Sequence, residues 1–121
     1  MKLEEYKKAV MVTAKVGIES SPINGDLLHG VMGLVTESAE MMNALKKRHA
    51  YGKEIDITNL KEEAGDIIWF LVYLCNTQGW DLEQIMETNI NKLRQRYGDK
   101  FNEFDALNRN LEAERKILEQ G

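Results

Sequence analysis

Apolar residues recur every three or four positions along most of the chain, which is the spacing of amphipathic helices. The periodic segments span residues 2–16, 26–48, 58–78, 81–97 and 105–119. The first ends at the turn-forming run GIESSPING, and the last is highly charged with few apolar positions. The pattern predicts an all-α chain with four core helices and an additional C-terminal helix.

Residues at the segment ends agree with this division. Asp26 is the expected N-cap of the second helix, and Asp56 or Thr58 that of the third. Gly79 is placed to end the third helix in the left-handed conformation. Asp81 then begins the fourth helix as its N-cap.

The apolar positions also predict which helix faces form the core. For the second helix the expected core residues are Leu27, Leu28, Val31, Leu34, Val35, Met41, Met42 and Leu45. For the third helix they are Leu60, Ala64, Ile67, Ile68, Leu71, Leu74 and Cys75. The fourth helix is expected to turn Leu82, Ile85, Met86, Asn89, Ile90, Leu93 and Tyr97 inward. Asn89 would then be a buried amide that needs partners.

Two pairs of acids lie beside these faces on consecutive helices. Glu37 and Glu40 are spaced i, i+3 on the second helix, and Glu63 and Asp66 have the same spacing on the third. Each pair therefore shares one face of its helix. Four converging carboxylates repel one another unless a counter-charge is present. Hard cations such as Mg²⁺ supply that charge and commonly bring phosphate, and Mn²⁺ is the alternative ion.

Gly30 and Gly33 precede the first acidic pair on the same stripe of the second helix. Glycine inside a helix costs about 1 kcal/mol relative to alanine, so two glycines need a reason. Close packing of a neighbouring helix is one reason, and room for a ligand beside the carboxylates is the other. On the fourth helix, Lys92 and Arg96 flank Asn89 and could hold what a metal brings.

Other interpretations of these residues are weaker. A single E-x-x-E is common on solvated helical surfaces, so only the two pairs together indicate a site. A di-iron bundle normally requires Glu-x-x-His, whereas Glu40 and Asp66 occupy those i+3 positions here. Trp69, Phe70 and Tyr73 fit a core better than a base-stacking surface. A non-enzymatic helical interaction module, with its acidic stripe bound to a basic partner, remains the alternative function.

Composition narrows the class of protein. A chain of 121 residues with 43% hydrophobic residues is long enough for one domain with a core. The formal net charge of −4 argues against binding to a nucleic acid polymer. No apolar run approaches the roughly 20 residues of a membrane span, and no signal peptide is expected. With Cys75 as the single cysteine, a cytoplasmic location is expected.

Three stretches resemble the MazG-like nucleotide pyrophosphohydrolases, which belong to the all-α NTP pyrophosphatase superfamily. The stretches are HGVMGLVTESAEMMNALKK, NLKEEAGDIIWFLVYLCNTQGWDLEQI and NINKLRQRYGDKF, and they fall within about residues 27–101. The resemblance implies a four-helix core that binds Mg²⁺ and hydrolyses nucleoside triphosphates to the monophosphate and pyrophosphate. It also implies a homodimer or homotetramer.

The resemblance assigns roles to residues of this chain. The metal-binding and catalytic acids correspond to Glu37, Glu40, Glu63 and Asp66, and the substrate-binding residues to Asn89, Lys92, Arg96 and Tyr97. Gly98 departs from the family, in which proline often follows Arg-Tyr. Residues 1–101 are therefore expected to form the MazG-like domain. Residues 102–121 are expected to be a peripheral or subunit-contacting helix.

Overall fold

The computed structural model describes all 121 residues, and every regular element is a helix. The helices are α1 (Leu3–Thr13), α2 (Gly25–Tyr51), α3 (Ile57–Gln78), α4 (Leu82–Tyr97), α5 (Glu103–Leu107) and α6 (Leu111–Glu119). The predicted all-α fold class is thus confirmed. None of the helices combines the length and the apolar character required to cross a membrane.

The chain divides into two compact units, and the first comprises residues Met1–Trp80 with α1, α2 and α3. α2 and α3 run antiparallel, because Gly30 lies against Leu74 while Gly33 lies against Phe70. A Cβ atom at either glycine would overlap those side chains. Of the two explanations for the glycines, close helix packing is therefore correct.

The face of α3 that packs differs in part from the predicted one, since Leu74 and Cys75 are buried as expected. Tyr73 and Val72 are fully buried, whereas Ile68 and Leu71 are 51% and 42% exposed. On α2 the buried positions are glycines, and most of the predicted apolar face is exposed: Leu28, Val31, Val35, Met42 and Leu45. The small side chains allow a closer approach than the bulky ones, so the stripe that carries the acids packs inside the chain. We call the exposed residues Leu28, Val31, Val35, Met42 and Leu45 the α2 apolar face.

Two long-range hydrogen bonds connect α3 to the N-terminal segment. The Asn76 amide donates to the carbonyl oxygen of Lys7 at 2.9 Å, and the Tyr73 hydroxyl donates to that of Lys15 at 2.7 Å. Val10 of α1 is 1% exposed. α1 ends at Thr13, three residues before the predicted end, and the chain from Ala14 onward is irregular.

The start of α2 also differs from the prediction. Its N-cap is Asn24, whose side chain accepts from the Leu27 N–H at 3.0 Å. Asp26 lies inside the helix, and its carboxylate accepts from the N–H groups of Gly17 and Ile18, each at 2.9 Å. These two backbone hydrogen bonds hold the pKa of Asp26 below its usual value. Asp26 therefore anchors the preceding loop instead of capping the helix.

The remaining predicted caps are confirmed. The Asp56 side chain accepts from the Asn59 N–H at 3.1 Å, and that of Asp81 from the Gln84 N–H at 3.1 Å. Gly79 follows α3 with φ of 71°, the left-handed conformation expected of a terminating glycine.

The second unit comprises residues Asp81–Gly121 with α4, α5 and α6. The predicted single helix 105–119 is two helices, because the Asn108 amide donates back to the Phe104 carbonyl oxygen and Asn110 caps α6. The predicted inward face of α4 is also wrong in the single chain. Thr88 is its buried residue, whereas Asn89 is exposed. The apolar residues of that face are about half exposed: Ile85, Met86 and Ile90.

Candidate metal centre

Three of the four predicted acids come together in the first unit. One carboxylate oxygen each from Glu37, Glu63 and Asp66 lies within 4.8 Å of the other two. α3 supplies the last two because their i, i+3 spacing places them on one face. α2 supplies Glu37 one turn beyond Gly33, so the close packing of the helices brings this carboxylate to α3. We call these three residues the acidic cluster.

The members of the cluster disfavour one another's charge. Burial raises the pKa of Glu37, and a hydrogen bond with Glu63 and the nearby negative charges add to the increase. Asp66 is the foremost of those charges, followed by Glu63 and Glu40. Glu63 is 7% exposed, so its carboxylate is largely withdrawn from water. Carboxylates held together in this way are stabilised by a bound cation.

Two residues outside the prediction support the cluster. The Asn59 amide donates to Glu63 Oε1 at 3.1 Å and so fixes one oxygen of that carboxylate. The pKa of Tyr6 in α1 is raised, first by burial and second by the negative charge of nearby Asp66. The i, i+4 spacing of Asn59 and Glu63 was a usable signal for the first contact. Tyr6 gave none, because it lies on a different helix, 60 positions before Asp66.

The donor set fits a hard divalent cation. All three groups offer oxygen, as Mg²⁺ and Mn²⁺ prefer. Oxygens bound to Mg²⁺ at about 2.1 Å are about 3 Å apart at neighbouring octahedral positions and about 4.2 Å apart at opposite ones. The observed limit of 4.8 Å exceeds that range by an amount that side-chain rotation can close. Glu37, Glu63 and Asp66 could therefore hold such an ion.

Glu40 is not part of this three-carboxylate group. It lines a cleft of about 370 Å³ between the C-terminal half of α2 and the start of α3. The same cleft is lined by Asn59, which contacts Glu63, and by the cations Lys47 and Lys53. Glu40 thus contributes to the local negative potential, since its charge is among those that raise the pKa of Glu37.

The four predicted substrate-binding residues lie on α4, in the second unit. The Arg96 guanidinium stands over the Tyr97 ring at 5.6 Å and forms an ion pair with Glu114 of α6, with Nη2 and Oε1 2.6 Å apart. Asn89 is exposed and Lys92 is half-buried. The Glu114 contact was missed in the sequence, because its partner is 18 positions away and across a chain reversal.

Comparisons with known proteins identify the family to which most of the chain is similar. The family model described as the MazG nucleotide pyrophosphohydrolase domain matches residues 27–101, which include all the predicted site residues. The chain is also similar to the Gene 37 protein of Mycobacterium phage L5, with 31% identity over 74 residues. That alignment covers 58% of this chain and 65% of the phage protein. No solved structure matches the chain.

Proposed function

The chain belongs to the MazG nucleotide pyrophosphohydrolase domain family, and we propose that it hydrolyses nucleoside or deoxynucleoside triphosphates to the monophosphate and pyrophosphate. The proposed reaction depends on Mg²⁺, with Mn²⁺ as a substitute. Its role would be to remove unwanted nucleotides from the cytoplasmic pool.

The acidic cluster is the observation that carries this proposal. Three oxygens within 4.8 Å of one another form a donor set for a hard cation. Burial, a hydrogen bond with Glu63 and the neighbouring negative charges together raise the pKa of Glu37, so a bound cation would relieve an unfavourable environment. A metal-dependent phosphohydrolase requires such a donor set, and the family of this chain is one of nucleotide pyrophosphohydrolases.

The cluster residues would divide the chemistry between them. When bound, Mg²⁺ neutralises charge on the triphosphate and lowers the pKa of a coordinated water molecule. Glu63, buried and held by Asn59, and Asp66 would hold the metal together with Glu37. Glu37 or Glu40 would orient or deprotonate the attacking water.

Residues of α4 would bind the rest of the substrate. Lys92 and Arg96 would stabilise negative charge on the triphosphate and on the departing pyrophosphate. Asn89, whose amide is exposed, would hold a phosphate or sugar oxygen, and Tyr97 would support Arg96 through its ring. The basis for these four assignments is the family resemblance of the N-x-x-K-L-x-x-R-Y segment.

The test is a panel of NTPs and dNTPs incubated with the protein and Mg²⁺, followed by detection of pyrophosphate and the monophosphate. We expect both products in equal amounts from at least one nucleotide, and none after chelation of the metal. Absence of turnover with every nucleotide, together with no thermal shift on addition of Mg²⁺, would contradict the proposal and favour the interaction module.

We further propose that the chain assembles as a homodimer or homotetramer through the α2 apolar face. Val35 and Met42 of that face are 64% and 63% exposed, and exposed apolar stripes of this length are typical of interfaces. Because the bulky stripe is not used within the chain, a second copy can cover it. Light scattering should give twice or four times the chain mass.

The assembly can be disrupted at a single position. Val35→Asp should shift the mass to that of one chain, because a buried charge without a partner is strongly unfavourable at an interface. Val12→Asp, at an 83% exposed position of α1, is the matched control and should leave the mass unchanged. A wild-type protein that is a single chain at micromolar concentration would refute the assembly.

A further inference from the structure

Glu114 of α6 is more deeply buried than any member of the acidic cluster and is held by two arginines. It is 2% exposed, compared with 7% for Glu63. Its Oε1 accepts from Arg96 Nε at 2.8 Å and from Arg96 Nη2 at 2.6 Å. Arg109 donates from Nε to Oε2 at 3.1 Å and from Nη2 to Oε1 at 3.3 Å. One carboxylate thus receives four hydrogen bonds from two guanidinium groups.

The three residues together keep a positive charge. One carboxylate balances only one of the two guanidinium groups, so a formal charge of +1 remains on the group. Glu114 uses two of the five N–H donors of Arg96, and the Tyr97 side chain also interacts with the guanidinium, so at most three donors remain for another acceptor. The Tyr97 ring, 5.6 Å from the guanidinium carbon, further limits its movement. Arg96 is therefore a preoriented cation in a chain of net charge −4.

Stability alone explains this arrangement poorly. A buried ion pair usually stabilises a fold no better than apolar side chains of the same size would. A guanidinium fixed by a carboxylate, in contrast, presents its remaining donors in a constant geometry, which suits a phosphate group. Orientation of Arg96 is what the buried carboxylate accomplishes that an apolar residue could not.

We propose that Glu114 is a positioning residue that holds Arg96 ready to bind a phosphate group of the nucleotide, with Arg109 preserving the positive charge of the pair. This inference rests on the proposed function. It assigns a role to α6, which lies outside the matched residues 27–101. The C-terminal segment would then be part of the substrate-binding apparatus and not a peripheral helix.

The test compares Glu114→Gln with Glu112→Gln, which makes the same chemical change at an exposed position of the same helix. KM and kcat are measured with an accepted Mg²⁺–nucleotide. Affinity is measured by calorimetry with its α,β-methylene analogue, in which the scissile bridge is replaced. E114Q should raise KM and weaken the analogue by about 10- to 100-fold, the range of a hydrogen bond to a charged group. E112Q should change neither.

The ratio of the kinetic parameters separates positioning from general damage. If Arg96 holds the substrate equally in the ground and transition states, KM rises while kcat stays nearly constant. In the Arg96→Ala background, E114Q should weaken the analogue no further, because Glu114 would act only through that arginine. E114Q indistinguishable from E112Q, or a further loss in the R96A background, would overturn the inference.

A second variant covers the case in which E114Q does not fold. Arg109 is 41% exposed, so Arg109→Ala should leave the chain folded and the Arg96–Glu114 pair intact. Without Arg109 that pair is formally neutral, and analogue affinity should fall several-fold. If the wild-type protein hydrolyses a nucleotide and R109A binds the analogue with wild-type affinity, the inference is overturned. A wild-type protein that hydrolyses no nucleotide would instead refute the proposed function, and this inference with it.

Discussion

Glu37 and Glu114 are carboxylates in opposite electrostatic environments. Glu37 lies among other acids, and burial together with those neighbours raises its pKa. Glu114 lies between two arginines, and its hydrogen bonds from Arg109 and Arg96 lower its pKa despite its burial. The pKa of Arg96 is raised by the same contact. The chain itself supplies the positive charges around Glu114, whereas the acids around Glu37 would need a bound cation.

The contrast distinguishes a candidate metal-binding site from a carboxylate that orients the side chains beside it. Negative groups that repel one another favour a positive ligand, and this preference would be the physical basis of the proposed metal binding. A carboxylate already paired with arginines has no such preference and can only orient its partners. Charge-neutralising substitutions at the two positions should therefore have opposite effects on the metal-free fold.

The largest expected effect is at the acidic cluster. Glu37→Gln should lower turnover by at least about 100-fold, the upper end of what loss of a supporting group costs a metal site. It should also raise the thermal midpoint of the metal-free protein, because a disfavoured charge is removed. Glu87→Gln, at an exposed position of α4, is the control and should do neither. A lower midpoint in E37Q without metal would contradict the repulsion on which the comparison depends.

Calorimetry of Mg²⁺ binding should distinguish a residue that holds the acidic cluster from one that only stabilises the fold. In the wild type, Mg²⁺ at 100 times its dissociation constant should add about 2.7 kcal/mol to the free energy of unfolding. Asn59→Ala should weaken Mg²⁺ by about 10- to 100-fold, since the amide no longer fixes Glu63. Asn76→Ala on the same helix removes the hydrogen bond to Lys7 and should lower stability alone. Equal Mg²⁺ affinity in the two variants would refute a role for Asn59.

The pH dependence of stability should reveal Glu114. Because its folded pKa lies below its ordinary value of 4.5, its stabilising contribution is present above that pH and is lost as the pH falls through the folded pKa. E114Q should therefore unfold several degrees below the wild type at neutral pH. The gap should close under strongly acidic conditions, as followed by circular dichroism. A gap that stays constant down to acidic pH would show that the carboxylate charge is not responsible.

The smallest expected effect is at Asp26, whose carboxylate is stabilised by hydrogen bonds from backbone N–H groups and not by arginine side chains. The folded pKa of Asp26 also lies below its ordinary value of 3.8, so its contribution to stability is likewise lost on acidification. Asp26→Asn should lower the thermal midpoint by less than E114Q does at neutral pH, because Asp26 is nearer to solvent. Thermal scans of both variants under identical buffers make the comparison, and a larger drop for D26N would reverse the order.

Local spacing was sufficient to place Glu63 and Asp66 together, but not to tell that Glu37 and not Glu40 would join them, or how the helices pack. The i, i+3 separation of Glu63 and Asp66 fixes them on one face whatever the neighbours are. The predicted packing face of α3 was wrong at Ile68 and Leu71, which the apolar count favoured, and right at Leu74 and Cys75. The glycines of α2 allow an approach that bulky residues do not. The acids and the Gly30–Gly33 spacing together were the available signal for the correct face.

The remaining errors concern contacts that no local pattern encodes. Asp26 has the residue type of a cap, yet Asn24 was better placed, and the carboxylate instead accepts from a loop nine residues earlier. The break between α5 and α6 depends on two asparagines, Asn108 and Asn110, that also occur inside helices. In the sequence, nothing distinguishes Glu114 from the other acids of this charged helix. Its role depends on a chain reversal that brings α6 against α4.

The contact of Gly33 with the Phe70 ring has a consequence for ion selection. The backbones of α2 and α3 approach as closely as a missing side chain permits, and that separation sets the span between Glu37 and the two acids of α3. Ca²⁺ needs oxygen distances of 2.3–2.6 Å and more ligands than Mg²⁺, which binds at 2.0–2.1 Å. A methyl group at position 33 would overlap the Phe70 ring, and any widening of the helix pair that relieved this overlap would favour the longer calcium distances. The choice between the two alkaline-earth ions would then depend on a residue that contributes no side-chain ligand.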